Sequence, residues 1–203
     1  MELQLFEIIV LVMAAVVHEY MHGWMADSLG DPTARHAGRL TLNPIKHVDL
    51  IGSILLPLLL IFYGTGFIFG YAKPVPYNPY NLRDQKYGGA KVALAGPMSN
   101  FLLAIFFGLI LRFMPFGSAN IQLLLMIIVQ INLVLGVFNL LPIPPMDGSK
   151  VIAPFLPIKW QLKLDEMEKY GMFLILLFVM FGFSLILPVI NFLFKLIVGP
   201  IAF

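Results

Sequence analysis

LFEIIVLVMAAVVHEYMH, residues 5–22, is an apolar run broken only by Glu7, and it ends in two histidines with an acid beside the first. Positions four apart lie one turn up the same face of a helix, so His18 and His22 can both point an imidazole at one metal. Glu19 follows His18 directly and can serve as a general base toward an attacking water. The plainer alternative is a pair of helix-face histidines bonded to carboxylates or carbonyls. At membrane depth that alternative is expensive, because two imidazoles and a carboxylate would be buried without compensation. The stretch therefore predicts a membrane helix and metal-assisted hydrolysis together.

The rest of the composition agrees. Of 203 residues 60% are hydrophobic and 12% charged, with a mean hydropathy of +0.90; soluble domains carry about 25% charged residues. The length suits one domain, 1–203. A net charge of +2 gives no electrostatic footprint for nucleic acid. The chain has no cysteine, which excludes thiolate ligands and leaves histidine and carboxylate to hold any zinc. The N-terminus, Met-Glu-Leu-Gln, has neither a basic region nor a small-residue cleavage site, so the first run is expected to be a retained helix.

Four stretches read as membrane helices: 3–25, 92–114, 121–141 and 171–187. The hydrocarbon core needs about 20 apolar residues, which puts the last at the short limit. Pro188 is expected to bend or break it, with 189–203 a kinked extension or a second short segment. A fifth stretch, 50–70, is interrupted by Gly52, Pro57, Gly64 and Gly66. The expected class is thus an all-α, polytopic helical membrane protein in which 50–70 enters the bilayer and returns.

Two arguments favour that return. If His22 shares a metal with a ligand beyond 121–141, the number of crossings between them is even, and 92–114 with 121–141 already supplies two. Basic residues also favour the cytoplasmic side. With 50–70 re-entrant, Arg35, Arg39, Lys46, Lys73, Arg83, Lys86, Lys91, Lys150, Lys159, Lys163 and Lys169 share one side, leaving Arg112 and Lys195 opposite. This predicts a multi-pass cell-membrane protein whose metal faces the cytoplasm and whose N-terminus is outside.

A catalytic zinc takes three protein ligands and keeps one position open. His36 and His47 are candidates in a polar connector where ordinary solvated roles are available. Asp147 is the better one, in NLLPIPPMDG at 139–148. Pro142, Pro144 and Pro145 cannot continue a helix, and unwound backbone at this depth is tolerated where it lines a cavity. Gly148 is expected to let the chain turn sharply after the carboxylate. The alternative is a proline-capped helix end followed by a solvated turn.

Together these motifs resemble the site-2 protease family of intramembrane zinc metalloproteases. His18-Glu19-Tyr20-Met21-His22 stands where that family has its zinc helix, and Asn139 through Gly148 resembles its second motif. Ala95-Gly96-Pro97-Met98-Ser99-Asn100 is similar to its Gly-Pro-x-x-Asn element. Gly30-Asp31-Pro32-Thr33 and Gly70 through Pro76 resemble a compact prokaryotic subgroup without PDZ or CBS domains. The resemblance implies one zinc per chain on His18, His22 and Asp147, with Glu19 as catalytic base. It places Asn139 near the reacting peptide as an oxyanion donor, where an interhelical hydrogen bond is the competing role. Asn100 reads as structural. The resemblance also implies a short re-entrant β-hairpin between the first two crossing helices, of which Gly70 to Pro76 would be part.

The function expected is hydrolysis of peptide bonds within or near transmembrane segments of other membrane proteins, which with the lipid bilayer would be its partners. One alternative is a catalytically silent zinc-binding membrane protein that only binds other membrane proteins. A zinc transporter is a further one, with only a thin polar path across the two middle helices.

Overall fold

The computed structural model describes residues 2–49, 72–114 and 118–199, with Leu55 and Phe62 as isolated positions. The long helices are α1 (Glu2–Ser28), α3 (Gly88–Phe113), α4 (Ala119–Asn139) and α7 (Gly171–Val198), each long and apolar enough to cross a membrane. Short helices connect them: α2 (Thr33–His36), α5 (Asp147–Ile152) and α6 (Ile158–Glu168). The protein is a multi-pass membrane protein. Outward-facing Leu5, Ile8, Leu102, Phe106 and Leu185 remain exposed, as suits side chains whose solvent is lipid.

Helix α3 is central: α1, α4, α5 and α7 all pack on it. Two packed regions follow. Ala104, Val129, Leu133, Ile186, Ile190 and Val198 join α3, α4 and α7 in a dry core. At the other end of α3, Ala26, Leu82 and Val92 anchor the end of α1. Between these regions lies the polar cluster described below.

The fourth crossing decides between two expectations: residues 171–198 form a single helix, with a π turn at Phe178–Gly182, and Pro188 sits inside its α-helical second half, so 189–198 extends that helix and is not a separate segment. Proline removes one backbone donor. In lipid, however, every residue beyond it would lose its only hydrogen-bond partners if the helix stopped, so the helix continues.

The predicted short β-hairpin finds no support: there is no strand among the described residues, and 72–78 carries no regular secondary structure. Pro74 and Pro76 lack N–H groups at alternate positions, where one edge of a strand would need its donors. The chain is pinned by other means. The N–H of Lys73 donates to the His47 carbonyl at 2.9 Å, Arg39 donates to the carbonyls of Lys73 and Pro74, and the N–H of Asn78 donates to Asp31 at 2.6 Å. The re-entrant stretch 50–70 lies outside the described residues.

Candidate metal centre

Helix α1 carries His18 and His22 on successive turns of one face, with Glu19 next to His18, near the end that α3 covers. Asp147 arrives from 129 residues away as the first residue of α5. The prolines end α4 at Asn139, and the chain then doubles back. Gly148 has a different part from the one expected: it is helical, and positive φ occurs among described glycines only at Gly30, Gly38 and Gly199. A Cβ on Gly148 would stand 2.2 Å from the Leu140 carbonyl oxygen and 2.4 Å from that of Leu141. Glycine is needed for close approach, which holds Asp147 against the end of α4.

Three ligand atoms converge. His18 Nε2 lies 3.0 Å from His22 Nε2 and 3.0 Å from Asp147 Oδ2, and His22 Nε2 lies 3.3 Å from that same oxygen. Ligands about 2.0–2.1 Å from a tetrahedral zinc are about 3.3 Å apart, so the triangle has nearly the size of one face of such a site.

The opposite ring nitrogens settle what the Nε2 atoms can offer. His22 Nδ1 is 2.7 Å from the Val92 carbonyl oxygen, which only accepts, so Nδ1 carries the proton and Nε2 a lone pair. His18 Nδ1 is 2.7 Å from Asn100 Oδ1, with the same consequence. Two lone pairs and a carboxylate oxygen then face one another at about 3 Å, an arrangement that calls for a cation. The donor set, two imidazoles and one carboxylate, fits zinc.

Gly96 forms the wall behind the triangle. A Cβ there would lie 2.5 Å from His22 Cε1 and Nε2 and 2.6 Å from His18 Nε2. On the open side a cleft of about 180 Å³ is lined by the three ligand residues together with Glu19, Val75 and Asn139. Glu19 Oε2 accepts the N–H of Val75 at 2.8 Å, so the chain at Pro74 and Val75 lines the cleft beside the carboxylate. Asn139 donates one amide hydrogen to the Leu135 carbonyl of its own helix at 3.0 Å. Its second N–H remains for a ligand, and the expected competing role, an interhelical bond, is not what this contact provides.

The other histidines stay away from this group. His36 is exposed on α2. His47 is buried, with Nε2 2.8 Å from the Thr41 carbonyl. Among the described residues the only cluster of metal-ligating side chains is His18, His22 and Asp147. Burial would raise the Asp31 carboxyl, but bonds from Thr33, Asn81 and Asn78 hold it below its ordinary value instead.

Reading the sequence did not find the Val75 N–H or the contacts of Asn132 described below. A backbone donor leaves no trace in residue identity. Asn132 did have a signal: with Gln130 it is one of two amides near the middle of a mostly apolar helix.

Residues 115–183 match the sequence profile of peptidase family M50. YwhC of Bacillus subtilis, provisionally named a zinc metalloprotease, is 37% identical over 194 residues, covering 91% of this chain and 85% of YwhC. Rip2 of Mycolicibacterium smegmatis, with a name of the same kind, is 29% identical over 181 residues, 89% of this chain and 66% of Rip2. The zinc metalloprotease MJ0392 of Methanocaldococcus jannaschii is 32% identical over 99 residues, 48% of this chain and 29% of its own length. No solved structure matches.

Proposed function

This chain belongs to peptidase family M50, the site-2 protease family of zinc metallopeptidases, and we propose that the bond it hydrolyses lies in or near a transmembrane segment of another membrane protein. The observation that carries this reading is the triangle of His18 Nε2, His22 Nε2 and Asp147 Oδ2, with both histidines on a helix long and apolar enough to cross a membrane and Glu19 beside them in an open cleft. Zinc held there supplies Lewis-acid polarisation of the scissile carbonyl and a more acidic water.

The chain's own residues do the rest. His18, His22 and Asp147 hold the metal. Glu19 removes a proton from the attacking water and returns it to the leaving amine. The free N–H of Asn139 stabilises charge on the carbonyl oxygen as it develops, a contribution of about 3 kcal/mol for one such donor. The cleft faces the cytoplasm, on the side that collects most of the basic residues. The return of 50–70 to that same side is supported by its flanks: His47 and Lys73 are hydrogen-bonded to one another at 2.9 Å.

An intact substrate helix hides its carbonyls in its own hydrogen bonds, so helix-breaking residues near the cut should favour cleavage. The test uses protein reconstituted in vesicles with a model transmembrane substrate. Glu19→Gln keeps zinc and loses about 10²–10⁴-fold in rate, and replacing the substrate's Gly, Pro or Asn by Leu slows the wild type. A Glu19→Gln protein as active as wild type overturns the assignment of the base. Equal cleavage of both substrates overturns the unwinding requirement.

A further inference from the structure

Three helices meet behind His18 in a row of amides whose polarity can be read in only one direction. Asn132, on α4, donates from Nδ2 to the Ile128 carbonyl at 2.9 Å. That carbonyl only accepts, so the other end of the Asn132 amide, Oδ1, is the one facing α3. There it accepts from Asn100 Nδ2 at 3.1 Å. Asn100 Nδ2 also faces the Ala14 carbonyl of α1 at 3.4 Å, a second acceptor-only group demanding the same orientation. Asn100 Oδ1 is therefore left to accept from His18 Nδ1 at 2.7 Å. Asn100 is fully buried and Asn132 is 2% exposed, so no water competes.

We infer that Asn100 and Asn132 are positioning residues that act in series on His18, keeping its proton on Nδ1 and its Nε2 lone pair in the ligand triangle. The inference rests on the zinc-peptidase reading of that triangle. Asn132 is the informative member, because it touches no ligand directly. Reversing its amide would set an NH2 against the Asn100 NH2 and a carbonyl against the Ile128 carbonyl. Each link polarises the next, and the last raises the donor strength of the imidazole, as partners behind ligating histidines do. A row serving only to join α3 and α4 would need the Asn132–Asn100 contact alone. The 2.7 Å bond to His18 ties the row to the site.

The experiment measures zinc affinity by chelator competition, and the visible spectrum of the cobalt-substituted protein, in purified full-length chains. Asn132→Leu, which keeps the branched shape and loses both hydrogen-bonding ends, is expected to bind zinc about 10-fold more weakly, and Asn100→Leu up to about 100-fold, with altered cobalt spectra. Asn132→Asp is the conservative variant: an acid this deep is neutral, so its hydroxyl can donate to Ile128 and its carbonyl can accept from Asn100. It is expected to restore zinc affinity to within about twofold of wild type and to restore the spectrum.

Wild-type affinity and spectrum in Asn132→Leu would overturn the inference. So would equal impairment of the Asp and Leu variants. Should Asn132→Leu not fold, nitrogen chemical shifts of His18 in the wild-type protein decide the matter: a proton on Nδ1 and metal on Nε2 are expected, and the reverse overturns it. A chain that binds zinc in this manner and cuts no peptide would instead refute the protease reading and leave the relay standing.

Discussion

Adding one methyl group at Gly96 should disable the metal centre without replacing any of its ligands. The Cβ of Gly96→Ala would lie 2.5 Å from His22 Cε1 and Nε2 and 2.6 Å from His18 Nε2, where ordinary contact begins near 3.4 Å. Something must move by about 0.9 Å. The imidazoles cannot yield freely, because each is tethered through Nδ1 by a 2.7 Å bond, to Val92 for His22 and to Asn100 for His18. Nor can α3 retreat easily, since α1, α4 and α7 pack around it. Overpacking of this kind costs about 1–3 kcal/mol. Taken from zinc binding, that is about 5- to 150-fold in affinity, and a misplacement approaching 1 Å at a catalytic group costs about 10²-fold in rate. Zinc content after dialysis against a graded chelator, followed by cleavage of a transmembrane substrate at saturating zinc, separates the two effects. Gly89→Ala is the control on the same helix: its Cβ would meet nothing nearer than Tyr77 Oη at 4.0 Å. It should bind zinc like wild type and gain at most about 1 kcal/mol in helix propensity. Wild-type zinc affinity and rate in Gly96→Ala would refute the close packing of α3 behind the two histidines.

Purified wild type should hold one zinc per chain by elemental analysis, lost in His18→Ala, His22→Ala and Asp147→Ala and kept in His36→Ala and His47→Ala; retention in Asp147→Ala with loss in His47→Ala would reassign the third ligand. The chain has no native cysteine, so Lys46→Cys and Lys86→Cys, both at exposed positions, can be probed with an impermeant thiol reagent in oriented vesicles. Labelling from one face is expected, and labelling from opposite faces would show that 50–70 crosses. Asp31 is fully buried and accepts bonds from Thr33, Asn78 and Asn81, so Asp31→Asn should cost about 2 kcal/mol at neutral pH, the scale of hydrogen bonds to a charged group. Because the Asp31 carboxyl is held low in the folded chain, its contribution is complete above the unfolded carboxylate range near pH 4 and is lost as pH falls through the lowered value. Thermal unfolding between about pH 2 and 7 should therefore show a shallower acid limb in Asp31→Asn than in wild type, and parallel limbs would contradict the assignment.

Much of this protein could be read without coordinates because the relevant information is local. Lipid demands long apolar helices, so α1, α3, α4 and α7 announce themselves by composition alone. The spacing of His18 and His22 is a property of one helical turn, and Glu19 is their neighbour in sequence. The unwinding before Asp147 follows from three prolines. Local rules left Pro188 open between an extension and a second segment, because the decision to continue a helix past proline depends on what else could satisfy the backbone, and in lipid nothing else can. They also misassigned Gly148, whose constraint is the approach of Leu140 and Leu141 rather than its own torsions. The described end of the hairpin expected from resemblance, 72–76, forms no strand for a related reason: Pro74 and Pro76 withhold the donors that pairing requires, and the chain is held instead by Arg39, Asp31 and Glu19. Tertiary structure alone decided which carboxylate or histidine completes the triangle, which backbone N–H meets Glu19, and which amides stand behind His18. Those choices join residues between 32 and 129 positions apart. Periodicity says which face of a helix a side chain occupies, while the partner on the facing helix is set by how the helices cross and how closely a glycine lets them approach.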